Sequence, residues 1–527
     1  MSSPNGASVA RGAGIYIHAY ERDGTLRHTL QIDSGLAQES SLFEPDPFTS
    51  YGLPVYQPPV IGSFFATHSH FDHIGNTLGV LHNFARNGHE PFFLSPEAYA
   101  VLPILLADGL SVSLGDKQIG DRDFDKEMAF LRTAFPGFDA DEGIVCPGAK
   151  KKGPVNFVIL NNGESAPFGP AGEFTVTAYR ANGREHLPGT NYYVFDFGGT
   201  KIATLLDVGL ELTYDPQTDL AAQPWLRQIA GCNGLIMEGT TADRVENLGP
   251  REERERALSA DLLETLKTYD LVVYPAFAQD RSGDLLKQIK QTLEDAGLGR
   301  DKVEIIFAAP LAKELMQTFN SPYGDCLSLL EGTIQDPAWN FSNNRKEGKK
   351  YVVIATAGFG DYPTPSYFQL EEALALEEGA IRLTSTFAPE HSEVDRIRKI
   401  PDLPEGKVRT TSLTGHPPSG RDYDYLAQLA APKPGGAYEL VHGDFLALWA
   451  MQRNLIERAG PHKLLKPAYY KEGRGIVVPA AKGTGDRAIC LADPYTSLII
   501  GPDGYVGRVL RDREVLSVRN LARRHPG

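Results

Sequence analysis

Thr67-His68-Ser69-His70-Phe71-Asp72-His73-Ile74-Gly75-Asn76 is the stretch from which the rest of the chain is best read. Four residues able to bind a metal, His68, His70, Asp72 and His73, fall within six positions. They follow the apolar, β-rich run Val60–Ala66 and precede a segment that reads as a helix. A strand that ends in such a loop presents several side chains to one point. Neutral imidazole suits Zn, Mn and Fe, and a carboxylate adds a hard oxygen donor. The order H-x-H-x-D-H therefore predicts a metal site built at a strand end.

Ligand-type residues recur further along the chain, each at or just beyond a predicted strand. His186 follows the strand-like Phe174–Tyr179. Asp207 ends the second arm of a hairpin whose turn is Gly198-Gly199-Thr200. His416 lies in T-G-H-P-P, and His442 ends a strand in V-H-G-D. An isolated His or Asp beside a turn is usually a capping residue. In a chain with only 13 histidines, their recurrence at strand ends points to one shared centre. Glu238, which ends the apolar strand Leu235–Met237, is a candidate acceptor for the ring N–H of a ligating histidine.

The 527 residues are too many for one hydrophobic core. The hydrophobic share of 42% and the charged share of 23% are those of an ordinary globular protein. No apolar run reaches the length of a membrane span. The Met1–Gly14 stretch lacks an apolar signal core, so a cytoplasmic location is expected. Four scattered cysteines without a C-x-x-C pair read as free thiols. The net charge of −15 argues against a broad basic nucleic-acid face, although it leaves room for a cleft whose positive charge comes from bound metals. Two short basic clusters, Lys150–Lys152 and Arg345–Lys350, are the other candidate nucleic-acid guides, and Tyr423 and Tyr425 are candidate stacking residues.

Strand and helix patterns alternate, which predicts an α/β protein. The charged helix pattern Arg251–Lys267 opens a second α/β unit, and the Pro/Gly-rich link Pro401–Gly406 closes it. The expected division is residues 1–246, an insertion at 247–404, a return at 405–471 and a short β-rich C-terminal segment at 472–527.

In this order the motifs resemble the metallo-β-lactamase fold, and T-H-S-H-F-D-H-I-G carries most of the likeness. The interrupted arrangement resembles the β-CASP branch, and within it ribonuclease J. H-L-P-G-T from His186 is similar to that family's H-S-I-P-D. M-E-G-T-T from Met237 is similar to E-S-T-N, and T-A-G-F-G-D from Thr356 to T-G-S-Q-G-E. T-G-H-P-P resembles S-G-H-A-S, and V-H-G-D resembles V-H-G-E. The resemblance implies an αββα sandwich carrying an inserted β-CASP α/β domain. It implies two divalent ions, Zn or Mn. His68, His70 and His186 would hold one, Asp72, His73 and His442 the other, and Asp207 would bridge them. It implies phosphate-binding roles for Thr356, Gly358, Gly360 and His416. Asp72, Glu238 and His416 are the expected catalytic set. Pro417 and Pro418 depart from the family pattern, replacing two backbone N–H donors beside His416.

The expected activity is hydrolysis of single-stranded RNA, from an end or internally, by a water activated between two metals. Homodimerisation is an expected partner state, with no membrane association. The alternatives are a small-molecule metallo-hydrolase of the same fold, acting on a lactone, thioester or β-lactam, a non-catalytic RNA-processing subunit, and a DNA nuclease. The insertion argues against the first, the complete ligand set against the second, and His442 against the third.

Overall fold

The computed structural model describes residues 14–20, 26–35, 61–87, 90–115, 119–139, 144–145, 153–181, 186–240, 242, 251–279, 281–318, 326–356, 365–384, 393–401, 403–404, 406–410, 419–433, 436–441, 451, 463–464, 470–471, 474–475, 497–500 and 506–509. They form an α/β protein with three large, mostly parallel sheets. The chain divides into two compact units, with boundaries at Asn247/Leu248 and Thr414/Gly415.

The first unit contains two seven-stranded sheets. One runs Val506–Val509, Ser497–Ile500, Ile15–Tyr20, Leu26–Ile32, Ser63–Phe65, Pro91–Leu94, Asn156–Ile159. The other runs Lys463–Leu464, Ala437–Val441, Gly234–Glu238, Lys201–Leu205, Tyr192–Asp196, Phe174–Tyr179, Ser165–Phe168. The expected Gly-Gly hairpin is present: Tyr192–Asp196 and Lys201–Leu205 pair antiparallel, with Gly198 and Gly199 at positive φ.

The two-residue period of a strand builds the layers. Phe65 faces the second sheet. It stacks on Phe93 at 4.5 Å and meets Phe195 edge-on at 4.8 Å, in a core that also takes in Leu30, Ile32, Val176 and Ile202. Its neighbours in the outer direction, Phe64 and Phe92, turn the other way. There Phe84 of helix Thr77–Asn87 meets Phe92. Tyr99 of helix Pro96–Gly115 and Phe135, just after helix Asp121–Ala134, meet Phe157. On the far side of the second sheet, Leu226 and Ile229 of one short helix and Tyr423 and Leu426 of helix Gly420–Leu429 cover Tyr192, Leu205 and Met237. The unit is thus helices, sheet, sheet, helices, and buries both faces of each sheet.

The second unit holds a five-stranded, all-parallel sheet in the order Val303–Ala308, Lys350–Thr356, Leu271–Ala276, Gly379–Leu383, Val408–Thr410. Helices cover both faces, as such a sheet requires. This unit interrupts the first between two strands that are neighbours there, Gly234–Glu238 and Ala437–Val441. Its end differs from the sequence expectation. The strand Val408–Thr410 pairs with Gly379–Leu383, so the unit continues past the Pro/Gly-rich link and past residue 404. The link closes a crossover inside the unit. Arg382 anchors that crossover, donating to Asp261 Oδ2 at 2.7 Å and to the Gly406 carbonyl at 3.0 Å.

The C-terminal strand Ser497–Ile500 pairs parallel with Ile15–Tyr20 and extends the first sheet. Among the described residues no helix is long and apolar enough to cross a membrane.

Candidate metal centre

The ligand loop is set by its neighbours on the sheet. Strand Ser63–Phe65 lies beside Leu26–Ile32, and the chain leaves both strands at the same end. Asp33, just after the second of these, has φ 58° and is fully buried. Its carboxylate accepts from Thr67 N–H at 2.7 Å, from Thr67 Oγ1 at 2.7 Å and from His73 Nδ1 at 2.7 Å. Gly35 follows, and a Cβ there would lie 1.5 Å from the Asp72 carbonyl oxygen, so no larger residue fits against the ligand loop. Ser34 N–H donates to the His73 carbonyl at 2.7 Å, and Asn76 N–H returns to Ser34 at 2.8 Å.

Within the loop His68 and His70 are separated by one residue in extended chain. His70 then caps a single helical turn, Phe71–Ile74, which carries Asp72 and His73. His186 comes from the segment after Phe174–Tyr179, and Asp207 from just beyond Lys201–Leu205. Asp207 sits at φ 47°, a left-handed conformation that Asp tolerates better than most residues. Glu238 holds it there indirectly: the Val208 N–H donates to Glu238, which also accepts from Thr240 Oγ1 at 2.6 Å and from Tyr423 OH at 3.1 Å.

These segments bring His68, His70, His186 and Asp207 together, with ligand atoms all within 4.8 Å of one another. The Nε2 atoms of His68, His186 and His73 lie 3.3, 3.3 and 3.4 Å from one oxygen, Asp207 Oδ2. His70 Nδ1 lies 3.0 Å from His68 Nε2 and 2.9 Å from His186 Nε2. Burial, and then the neighbouring imidazoles, push His70 well below its ordinary pKa; burial and then His73 lower His68. His73 goes the other way. Burial opposes its charge, but Asp207 and Asp33 outweigh burial and raise its pKa well above the ordinary value.

The donor set fits a divalent cation. Three ring nitrogens at 2.9–3.0 Å spacing cannot all carry protons, and a buried carboxylate beside them is acceptor-only when ionised. Neutral imidazoles converging on a carboxylate oxygen form one His/Asp cluster able to hold a metal ion.

Asp72 is buried on the helical turn, outside the four-residue group. His416, His442, Gly358 and Gly360 lie outside the described residues, and Thr356 is the last residue of its strand. Glu238 supports the centre through the backbone. Its carboxylate accepts from the peptide N–H after Asp207, and the His73 ring is received by Asp33. Asp33 was not singled out from the sequence. The signal was an acid directly after the buried strand end Leu30–Ile32, a costly place for a charge without a partner. The basic cluster Arg345–Lys350 is paired in place: Lys346 and Lys349 with Glu304, Lys350 with Asp270 and Arg345 with Glu378. Lys150–Lys152 lies outside the described residues. Tyr423 is fully buried and Tyr425 bonds Asp219 at 2.8 Å, so both pack their helix.

No family model matches the chain, and no curated protein matches it. Among solved structures, it is similar to a crystal structure of a protein of unknown function from Enterococcus faecalis V583. The identity is 14%, the alignment covers 90% of this chain and 98% of that one, and the TM-score is 0.44.

Proposed function

We propose that the chain is a metal-dependent phosphodiesterase that hydrolyses single-stranded RNA, a ribonuclease J-like protein of the β-CASP branch of the metallo-β-lactamase fold. The observation that carries this reading is the meeting of His68, His186 and His73 on one oxygen of Asp207. His68 and His186 approach that carboxylate together with His70, and His73 approaches it from the helical turn that also bears Asp72. A carboxylate shared in this way is what a two-metal site needs as its bridge. His68, His70 and His186 would hold one ion, and Asp72, His73 and His442 the other. Bound there, two divalent ions supply Lewis acidity toward a phosphate and an activated water.

The chain's own residues prepare that chemistry. Burial keeps His68 and His70 neutral and available as donors. Asp33 fixes the His73 ring so that Nε2 is turned to Asp207. Glu238 fixes the Asp207 backbone through Val208. His416, which follows the insertion, is assigned to the scissile phosphate, and Thr356, Gly358 and Gly360 to its neighbours. A polymer substrate is favoured over a lactone, thioester or β-lactam because a whole five-stranded α/β unit interrupts the ligand-bearing unit between adjacent strands. A small-molecule hydrolase has no need of it.

The test is direct. Purified protein with Mn or Zn is incubated with 5′-monophosphorylated and 5′-triphosphorylated single-stranded RNA, and the products are read on a sequencing gel. Metal-dependent cleavage is expected. Hydrolysis of lactones or β-lactams without any RNA cleavage would overturn the reading.

A further inference from the structure

We propose that Tyr193, aligned by Asn191 and Arg180, is a positioning residue for the His68/His70/His186 side of the centre; the inference rests on the metal-centre reading above. Tyr193 lies on strand Tyr192–Asp196 of the second sheet and is fully buried between the sheets. Its hydroxyl donates to the Ala66 carbonyl at 2.7 Å. The next carbonyl, that of Thr67, accepts from Asn191 N–H at 2.7 Å. The two peptides that lead into His68 are therefore held by residues of the opposite sheet. That sheet also carries His186 and Asp207.

The direction of these bonds is fixed by the chemistry of Arg180. A guanidinium only donates. Arg180 Nε lies 3.1 Å from the side chain of Asn191, so the amide must present its oxygen there. Its Nδ2 is then left to donate to Tyr193 OH, at 3.1 Å. The hydroxyl has one proton, and with its oxygen already accepting, that proton goes to Ala66. The other arms of Arg180 are anchored on Glu97 at 3.0 Å and on the Leu160 carbonyl at 3.0 Å. A lysine has no fork to reach three such directions at once.

Thr190, next to Asn191, closes the His186 segment. Thr190 Oγ1 donates to the Leu187 carbonyl at 2.7 Å, locking the turn that follows His186. Gly189 in that turn has φ 78°, and a Cβ there would come within 2.5 Å of Ser95 Oγ. One polar line thus runs from Arg180 through Asn191 and Tyr193 to Ala66, two residues before His68, and Asn191 itself follows the turn that carries His186. The helical turn that carries Asp72 and His73 is held separately, through Asp33, Ser34 and Gly35. Loosening the line should therefore disturb one ion more than the other.

The experiment titrates the full-length, metal-stripped chain with Co(II), read by calorimetry and by the visible ligand-field bands. Four proteins are compared: wild type, Tyr193→Phe, Asn191→Asp and Tyr351→Phe. Tyr193→Phe keeps the ring packed and removes only the hydroxyl. Asn191→Asp keeps an acceptor for Arg180 but draws the Tyr193 proton to itself, releasing Ala66. If Tyr193→Phe fails to fold by circular dichroism, Asn191→Asp carries the test alone. Tyr351 is a buried tyrosine of the other unit whose hydroxyl accepts from Lys346 N–H at 2.8 Å, and its variant reports general destabilisation. The expected result is a roughly tenfold loss of affinity for one of two cobalt equivalents, with altered bands, in both site variants and not in Tyr351→Phe. Wild-type titrations from both site variants, or the same loss in Tyr351→Phe, would overturn the assignment. Wild-type protein that takes up no cobalt would instead remove the metal-centre reading on which it rests.

Discussion

Asp33 and His73, 40 residues apart in the chain, meet as a fully buried pair in which His73 Nδ1 donates to Asp33 Oδ2 at 2.7 Å. The same carboxylate holds Thr67 by its backbone and its hydroxyl, so one acid orients both ends of the ligand loop. Asp33→Ala leaves a buried imidazole, a hydroxyl and an N–H without their acceptor. Metal affinity is expected to fall by about 10- to 100-fold, most of all for the ion assigned to His73. Dialysis against graded chelator followed by metal analysis checks this. Unchanged retention of both ions would show that the pair is only structural.

Asp207 is the residue whose loss should affect both ions at once. Three imidazoles share its Oδ2, and its φ of 47° aims it at them. Asp207→Asn keeps the size but removes the negative charge that would offset the two proposed cations. Bound metal should drop from about two equivalents to below one, and cleavage with it. A variant that still held two equivalents and turned over normally would rule out a bridging role.

Much of this centre was legible because its ligands are dense in sequence and each follows an apolar strand. Asp33 was not, since its partners are contributed by Thr67 and His73, and only the parallel pairing of Leu26–Ile32 with Ser63–Phe65 brings them together. Tyr193 was hidden for a similar reason: it reads as one more aromatic of a buried strand until Ala66 is placed opposite it. Alternation did not reveal the layers, because Phe64 and Phe65 are equally apolar although they face helices and sheet respectively. The end of the inserted unit was misjudged because Pro401–Gly406 looks like an interdomain link. Val408–Thr410 beyond it finds its partner only through long-range pairing with Gly379–Leu383.

His416 and His442 separate the roles of phosphate and metal in the proposed reaction. His416→Ala should slow RNA cleavage by about 100-fold or more while both metal equivalents remain, as expected of a group that handles charge or a proton on the substrate. His442→Ala should lose one equivalent. Metal analysis beside single-turnover rates distinguishes them. Metal loss from His416→Ala would reverse the assignment.

His28 gives the fold a pH dependence of its own. Its ring is buried against Phe168 and Phe174, with Nε2 3.0 Å from Ser63 Oγ. Burial lowers its pKa from 6.5 to about 4, and nearby Glu173 only partly opposes the shift. The unfolded chain therefore takes up a proton below pH 6.5 that the folded chain refuses until about pH 4. Stability contributed by the neutral ring is complete above pH 6.5 and is lost as pH falls through that window. The full loss is on the order of 3 kcal/mol, at about 1.4 kcal/mol per pKa unit. His28→Gln can keep a donor toward Ser63 but cannot titrate. Urea midpoints of the metal-stripped parent and variant, followed from pH 7 to about pH 4, should converge or cross as the parent loses this contribution and the variant does not. Parallel curves over the whole range would mean that His28 is not the group responsible.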